Sequence, residues 1–418
     1  MGLIGAGAMG KGLLYQSTLT RGIGCMALCD SNIDRAVNAL ESFGIPYEVA
    51  DLPGAMNEIL RRERVAVCED GLWVAECESL DVVIEATSSI GSAGRHAMTA
   101  MEHGKHLVMM NSEIDLLFGP VFAATASRNK VVYTSCDGDQ YGVLKHLIDD
   151  IREWGLQLVM AGNIKGYLDR HATASSVATE ADLRNLDHRM CASFTDGTKL
   201  NIEMALIANA CGMQTKLPGM NGPRMGHVRD VFQNFNFDDL WKDRRPFVDY
   251  ILGAEPGGGV FVIGYCDNPY QREMLAYYKM GPGPFYLFYR HYHLCHIEAM
   301  KTVANAVTDR KCLLKPDFGF MTNVYAYAKS DLRPGVRLDG IGGNACYGLI
   351  ENCPDNRIEP GLPIGLAENV FLSRAVSKDE KIFLKDVVYD RDRYEFVLFE
   401  KAVFESDSIR EQNRLPTL

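Results

Sequence analysis

The stretch Gly2-Leu3-Ile4-Gly5-Ala6-Gly7-Ala8-Met9-Gly10-Lys11-Gly12 opens the chain and decides how the rest is read. It sets G-x-G-x-x-G between a short apolar segment and a helix-forming run through Leu13, Leu14 and Tyr15. Each glycine has its own task. Gly5 permits the tight turn, Gly7 lets a pyrophosphate approach the backbone, and Gly10 lets helix and strand pack closely. The helix start then aims its orphan N–H groups and the positive end of its dipole at the phosphates. Gly5, Ala6, Gly7, Ala8, Met9 and Gly10 are therefore a candidate dinucleotide cradle. The apolar segment before the loop is short, and the reading expects the true start of the strand upstream of Met1.

Working outward, a second apolar run, Cys25-Met26-Ala27-Leu28-Cys29, ends in Asp30, about twenty residues past Gly10. That is where a dinucleotide fold keeps the acid that bonds the adenosine ribose. Asp30 favours NAD by accepting from the 2′-hydroxyl, whereas Ser31, Asn32 and Arg35 offer groups to receive a 2′-phosphate. The choice between NAD and NADP stays open on these residues. Further strands are expected at Asp81–Thr87, leading into a small-residue loop, and at Lys105–Met110, ending at Asn111-Ser112-Glu113. Ala86, Thr87 and Asn111 join the cofactor candidates at those strand ends. Strand and helix alternate throughout, which predicts an α/β, doubly wound parallel sheet of Rossmann type over residues 1–140.

The chain has 418 residues, 47% hydrophobic and 23% charged, enough for two or three domains. Its formal net charge is -11 and no run of five Lys or Arg occurs, which argues against a nucleic-acid partner. No apolar run reaches the ~18 residues of a membrane span, and the opening lacks the basic flank of a signal peptide. The 12 cysteines are scattered with no C-x-x-C pair, and read as reduced, mostly buried thiols of a cytoplasmic protein. An enzyme acting on small molecules is the expected class.

Chemistry is expected further along. After the strand Lys130–Ser135 come Cys136-Asp137-Gly138-Asp139. Two carboxylates two residues apart lie roughly 6–7 Å from each other on extended backbone, and converge on a hard cation if the glycine bends the chain. A solvated Asp-Gly turn is the alternative. A second cluster, Ser193 to Glu203, precedes the uncharged run Met204–Ala210, and Thr195 or Asp196 is placed to cap that helix. Lys199 and Glu203 are four apart and share a face. On a helix that is apolar nearly all round, such charges are costly unless paired or put to use. Lys165 closes the strand-like Met160–Ile164, where it contacts substrate or solvates a turn. Tyr289–Glu298 packs three of the ten histidines into six residues, without a recognised ligand spacing. The middle segment, 141–325, is expected to be an α+β catalytic and oligomerisation domain. Residues 326–418 read as a small mostly-β module with a polar tail.

These residues carry a resemblance. The glycine loop, Glu85-Ala86-Thr87, Asn111-Ser112-Glu113 and Asp137-Gly138-Asp139 resemble the cofactor domain of homoserine dehydrogenase. Pro334–Gly340 and Leu362–Leu366 resemble a SAF domain. The pairing is similar to homoserine-dehydrogenase-like oxidoreductases with a C-terminal SAF domain, a group containing 1-deoxy-D-xylulose 5-phosphate reductoisomerase-like enzymes. The resemblance implies NADPH as the favoured cofactor, a phosphorylated small-molecule substrate, a homodimer and a role in isoprenoid precursor synthesis. Asp137-x-Asp139 and Lys199-x-x-x-Glu203 resemble the metal-binding and lysine motifs of reductoisomerases in order and role. Asp139 stands where Glu is usual, Thr198-Lys199 replaces Asn-Lys, and the Lys–Glu gap is one residue longer. By that resemblance Asp137, Asp139 and Glu203 would hold Mg²⁺ or Mn²⁺, and Lys199, Glu203 and Asp137 would be catalytic. Lys165, Asp196 and Arg224 would meet the substrate, with Lys165 or Arg224 anchoring phosphate. Two other readings remain: a metal-free dehydrogenase of homoserine type, and an inactive NAD(P)-binding protein.

Overall fold

Seven short strands follow from the apolar runs of the first part: β1 (Gly2–Ile4), β2 (Ala27–Cys29), β3 (Tyr47–Val49), β4 (Val65–Cys68), β5 (Val82–Glu85), β6 (His106–Met109) and β7 (Tyr133–Ser135). They form one sheet in the order β3-β4-β2-β1-β5-β6-β7, with every neighbouring pair parallel. This is the computed structural model of the chain, and it describes residues 1–183, 186–353 and 359–414. Side chains alternate between two buried faces. Leu3, Leu28, Val67 and Ile84 feed one core, and Ile4, Ala27, Cys29, Ala66 and Val83 the other. Burial on both sides explains why the central strands β1, β2, β4 and β5 read as nearly unbroken apolar runs. The chain doubles back at β1, between β2 and β5, and the crevice at the C-terminal ends of such strands is where open α/β sheets take ligands.

Contacts divide the chain into two units. The first comprises Met1–Gly142, Leu294–Pro316 and the described residues from Tyr394 on. The helix Cys295–Ala304 packs on the helix Ala8–Leu19, and its Ala299, Met300 and Val303 enter the same core as Leu3. The last helix, Tyr394–Arg414, lies against the helices Ser112–Asn129 and Ile90–Glu102. Its Leu398, Ala402 and Ser406, four residues apart, are buried.

The second unit comprises Val143–His293 and Asp317–Arg393. Strands β8 (Gln157–Lys165), β9 (Gln214–Thr215), β10 (Phe247–Leu252), β11 (Val260–Tyr265) and β12 (Phe285–Arg290) form a mixed sheet, in the order β12-β11-β8-β10-β9. One face carries an aromatic cluster that includes Phe235, Phe237, Trp241, Phe247 and Phe285. Smaller antiparallel sheets follow: β13 (Thr322–Ala328) with β15 (Cys346–Asn352), and β14 (Arg337–Asp339), β16 (Glu368–Leu372) and β17 (Val387–Val388). β13 and β15 are stitched to the helix Thr198–Cys211 by that helix's own polar residues. Gly348 N–H donates to Thr198 Oγ1 (2.8 Å), Ile350 N–H to Asn201 Oδ1 (2.9 Å) and Thr322 N–H to Asn209 Oδ1 (2.9 Å).

Two expectations about organisation are corrected. The boundary expected at 325/326 falls inside β13, whose hydrogen bonds run continuously from Thr322 to Ala328, so the β-rich C-terminal segment is part of the second unit. The polar tail is a 21-residue helix belonging to the first unit. Among the described residues no helix is long and apolar enough to cross a membrane.

The tail helix yields a test. Ala402→Glu places a charge where Ala402 is fully buried, and is expected to lower stability by roughly 2–4 kcal/mol. Phe404→Glu, at a side chain 70% exposed, should leave it within about 0.5 kcal/mol. Denaturant unfolding reads both. Equal effects would mean that the tail does not dock through this stripe.

Candidate functional site

The glycine loop is built by exclusion of side chains. Gly5 has φ +104°, and a Cβ there would lie 2.7 Å from the Ala86 carbonyl oxygen. A Cβ at Gly10 would collide with the carbonyl oxygen of Gly5. At Gly7 a Cβ would meet nothing within 4 Å. Two glycines thus close the backbone on itself, and the third faces open space. Gly7, Ala8 and Met9 are exposed, and Gly7 occupies the N-cap of the helix Ala8–Leu19 without offering a side chain to its first N–H groups. The loop therefore fits the pyrophosphate of a dinucleotide.

The neighbouring strand ends brace this loop. Asp30, 8% exposed, accepts the Ala6 N–H (2.8 Å) at one oxygen and the Asn32 N–H (2.9 Å) at the other. Its carboxylate holds the loop from within, and each oxygen keeps a further lone pair for a ribose hydroxyl. Arg35 is exposed on the helix Ile33–Ser42. Asn111 caps the helix Ser112–Asn129 through the N–H groups of Glu113 and Ile114, and donates from Nδ2 to the Thr87 carbonyl at 2.7 Å. Glu85, fully buried, accepts the Thr87 N–H (2.8 Å) and the Thr87 hydroxyl, and its other oxygen meets His96 Nδ1 at 3.1 Å. The Glu85–His96 pair escaped the sequence reading. Its signal was an acid ending an otherwise apolar strand, which demands a partner once the strand is buried.

Asp137 and Asp139 follow β7, 4% and 8% exposed. Asp137 Oδ1 accepts the Gly138 N–H (2.8 Å) and Asp139 Oδ1 accepts the Gln140 N–H (2.8 Å). The Asp137 N–H donates to Thr302 Oγ1 at 3.0 Å. Gly138, with φ +88°, makes the bend, and a Cβ there would lie 2.5 Å from the Cys295 carbonyl oxygen. Burial, reinforced by these acids, pushes the Cys136 thiol and the Tyr141 phenol well above their usual ranges, so both stay neutral at pH 7. The Tyr141 hydroxyl has no hydrogen-bond partner among the described residues. Buried hard oxygens in a negative field suit a divalent cation. Asp115, also missed, takes hydroxyls from Tyr133 and Ser135 just behind this loop; polar residues divided between β7 and the helix Ser112–Asn129 give no local motif.

In the second unit, every residue of the helix Thr198–Cys211 is buried except Lys199, which is partly exposed. Glu203, 3% exposed, lies one turn on along the same face. Asp196 differs from expectation. It is 1% exposed, its Oδ1 accepts the Thr198 N–H (2.8 Å), and its Oδ2 meets the Lys329 ammonium at 2.9 Å. Lys329 also donates to the carbonyls of Ala172 (2.5 Å) and Gly343 (2.7 Å). Burial raises the Asp196 carboxyl, with Lys329 opposing that rise. A carboxylate so enclosed positions the helix start. Lys165 and Arg224 flank Leu252 on either side of β10. His291 meets the Tyr292 ring edge-on in the second unit, and His296 covers Gly12 in the first.

Residues 138–299 match the family model for the catalytic domain of the oxidoreductase DRL. That segment includes Asp139, Lys165, Lys199, Glu203 and Arg224. No curated protein matches the chain. Among solved structures it is similar to an oxidoreductase from Agrobacterium radiobacter in complex with NAD+, L-tartaric acid and magnesium. There the identity is 16% and the TM-score 0.30, covering 40% of this chain and 44% of that one. It is also similar to a probable dehydrogenase from Thermotoga maritima, with 10% identity and TM-score 0.35, covering 100% and 90%. A third likeness is to 1-deoxy-D-xylulose 5-phosphate reductoisomerase from Zymomonas mobilis in complex with NADPH, with 16% identity and TM-score 0.34, covering 49% and 55%. The chain spans less than half the length of the Agrobacterium oxidoreductase.

Two outcomes are expected. Gly7→Val should fold as stably as the parent, since its side chain enters open space, yet bind NADPH and NADH at least tenfold more weakly by fluorescence titration. Lys329→Met should lower stability by roughly 3–5 kcal/mol by stranding Asp196, and adding Asp196→Asn should recover part of the loss. A loss below about 1 kcal/mol on denaturant unfolding would remove the pair as the anchor of the helix.

Proposed function

We propose that the protein is an NAD(P)H-dependent oxidoreductase and, within that class, a reductoisomerase converting 1-deoxy-D-xylulose 5-phosphate to 2-C-methyl-D-erythritol 4-phosphate. What carries the reading is a glycine loop open to a pyrophosphate at Gly7, in a chain whose residues 138–299 match an oxidoreductase catalytic domain. Resemblance of the Asp137-x-Asp139 and Lys199-x-x-x-Glu203 motifs supports the narrower assignment.

The residues divide the work. The loop from Gly5 to Gly10 holds the pyrophosphate, with Asp30 keeping it in shape and facing the ribose. Thr87 and Asn111, tied to each other, form a firm edge for the nicotinamide end. Asp137 and Asp139 hold a divalent cation through carboxylate oxygens. When bound, the nucleotide supplies a hydride and the cation supplies Lewis acidity. Lys199, reaching out from a buried helix, orients the substrate or moves its proton, and Glu203 fixes the charge balance of that helix face. Lys165 and Arg224 offer cations to the phosphate.

The test is NADPH oxidation by the purified protein with 1-deoxy-D-xylulose 5-phosphate, with and without Mg²⁺ or Mn²⁺. Turnover is expected to need the cation and to stop in EDTA. Lys199→Ala and Glu203→Ala should each lower it at least tenfold, about 1.4 kcal/mol of barrier, with NADPH affinity unchanged. Homoserine oxidation indifferent to EDTA would assign the protein to the homoserine-dehydrogenase type instead.

A further inference from the structure

The C-terminal end of β10 gathers positive charge from neighbouring segments. β8 and the segment at Arg224 both run parallel to β10, and Lys165, Leu252 and Arg224 pair side by side across the three. Met225 N–H donates to the Leu252 carbonyl, and Leu252 N–H to the Pro223 carbonyl, which fixes that register. Paired residues in a sheet project to the same face, so Lys165 and Arg224 flank Leu252 on one face. Tyr250, two residues back on β10, shares it. The charges of Arg170, from the loop after β8, and of Arg224 both act on the Tyr250 phenol and oppose the rise that burial imposes on it.

The phenol is held still. A Cβ at Gly222 would collide with the Tyr250 ring, so only glycine there admits it. Asp249, on the opposite face, accepts the N–H groups of Asn221 (3.0 Å), Gly222 (2.9 Å) and Tyr250 (2.8 Å), clamping that turn to the strand. Beside Arg224, a Cβ at Gly253 would find its nearest neighbour 3.8 Å away, at the Arg224 guanidinium. Arg170 and Arg224 are exposed and Lys165 partly so. Among the described residues none of the three forms an ion pair, in a chain of net charge -11. Three like charges on neighbouring segments, none of them in an ion pair, repel one another and favour an anion among them.

We propose that Lys165, Arg170, Arg224 and the Tyr250 hydroxyl form one subsite for a dianionic phosphate monoester. This deepens, and for the identity of its ligand rests on, the reading of the protein as acting on a phosphorylated substrate. Two guanidinium forks and an ammonium match several oxygens carrying two charges, more than one carboxylate can use. The Tyr250 hydroxyl, on which both arginine charges act, has an O–H to donate to a phosphate oxygen. The residues sit on three segments, 165–170, 224 and 250, which is why only Lys165 and Arg224 stood out in the sequence.

The full chain, in the presence of NADPH to occupy the glycine loop, is titrated calorimetrically with inorganic phosphate and, in parallel, with acetate. Phosphate should bind and acetate at least tenfold more weakly. Arg170→Met and Arg224→Met should each weaken phosphate at least tenfold, and Tyr250→Phe about threefold, with NADPH affinity and thermal unfolding as in the parent. Equal phosphate affinity in parent and arginine variants, or no phosphate binding in the parent, overturns the subsite. In the reductase assay the arginine variants should raise KM for the sugar phosphate with little change in kcat. If phosphate binding responds to the substitutions while no sugar phosphate is turned over, the subsite stands and the reductoisomerase reading falls.

Discussion

At Gly10 a single added carbon would strike the carbonyl oxygen of Gly5, and at Gly5 one would press on the carbonyl of Ala86. This closeness of three backbone segments positions everything around it. It brings the helix Ala8–Leu19 onto β1, and β1 against the end of β5. It also leaves the first N–H groups of that helix pointing at open space beside Gly7. Asp30, Glu85 and Asn111 then serve as braces, each spending hydrogen-bonding capacity on loop backbone. A site built from backbone amides and held by buried acids loses little entropy when a ligand arrives, because its geometry is already set.

The second unit solves a different problem. Its helix Thr198–Cys211 is buried along its length, yet it carries a lysine and a glutamate. Thr198 and Asn201 find backbone N–H donors on β15 and Asn209 finds one at the start of β13, and the Asp196–Lys329 pair holds the start of the helix. Such a pair contributes more to holding one arrangement than to net stability, because burial of both charges offsets most of their attraction. The helix is thereby fixed in rotation, and Lys199 is the residue left facing out.

Local signals carried much of this. The glycine spacing, the apolar strands and the acid at Asp30 are short-range patterns, and the parallel sheet follows from them. The uncharged helix with its two charged residues was likewise legible from spacing alone. What stayed hidden depends on partners far apart in sequence. Asp196 reads as a helix cap or substrate group until Lys329, more than a hundred residues on, is seen beside it. The tail reads as polar, because three small or apolar residues four apart are a thin stripe among charges. The division at 325/326 misplaced a strand, because a change in texture toward turns marks the end of helices and says nothing about where β13 finds its partner. Arg170 and Tyr250, on separate elements far apart in sequence, come together only in the fold.

Direct binding of the nucleotide to the unaltered protein bears hardest on all of this. Calorimetric titration of the full chain with NADPH and with NADH should show one saturable site per chain for at least one of them. Absence of heat and of any nicotinamide fluorescence change with either, at millimolar nucleotide, would contradict a dinucleotide cradle at Gly5–Gly10.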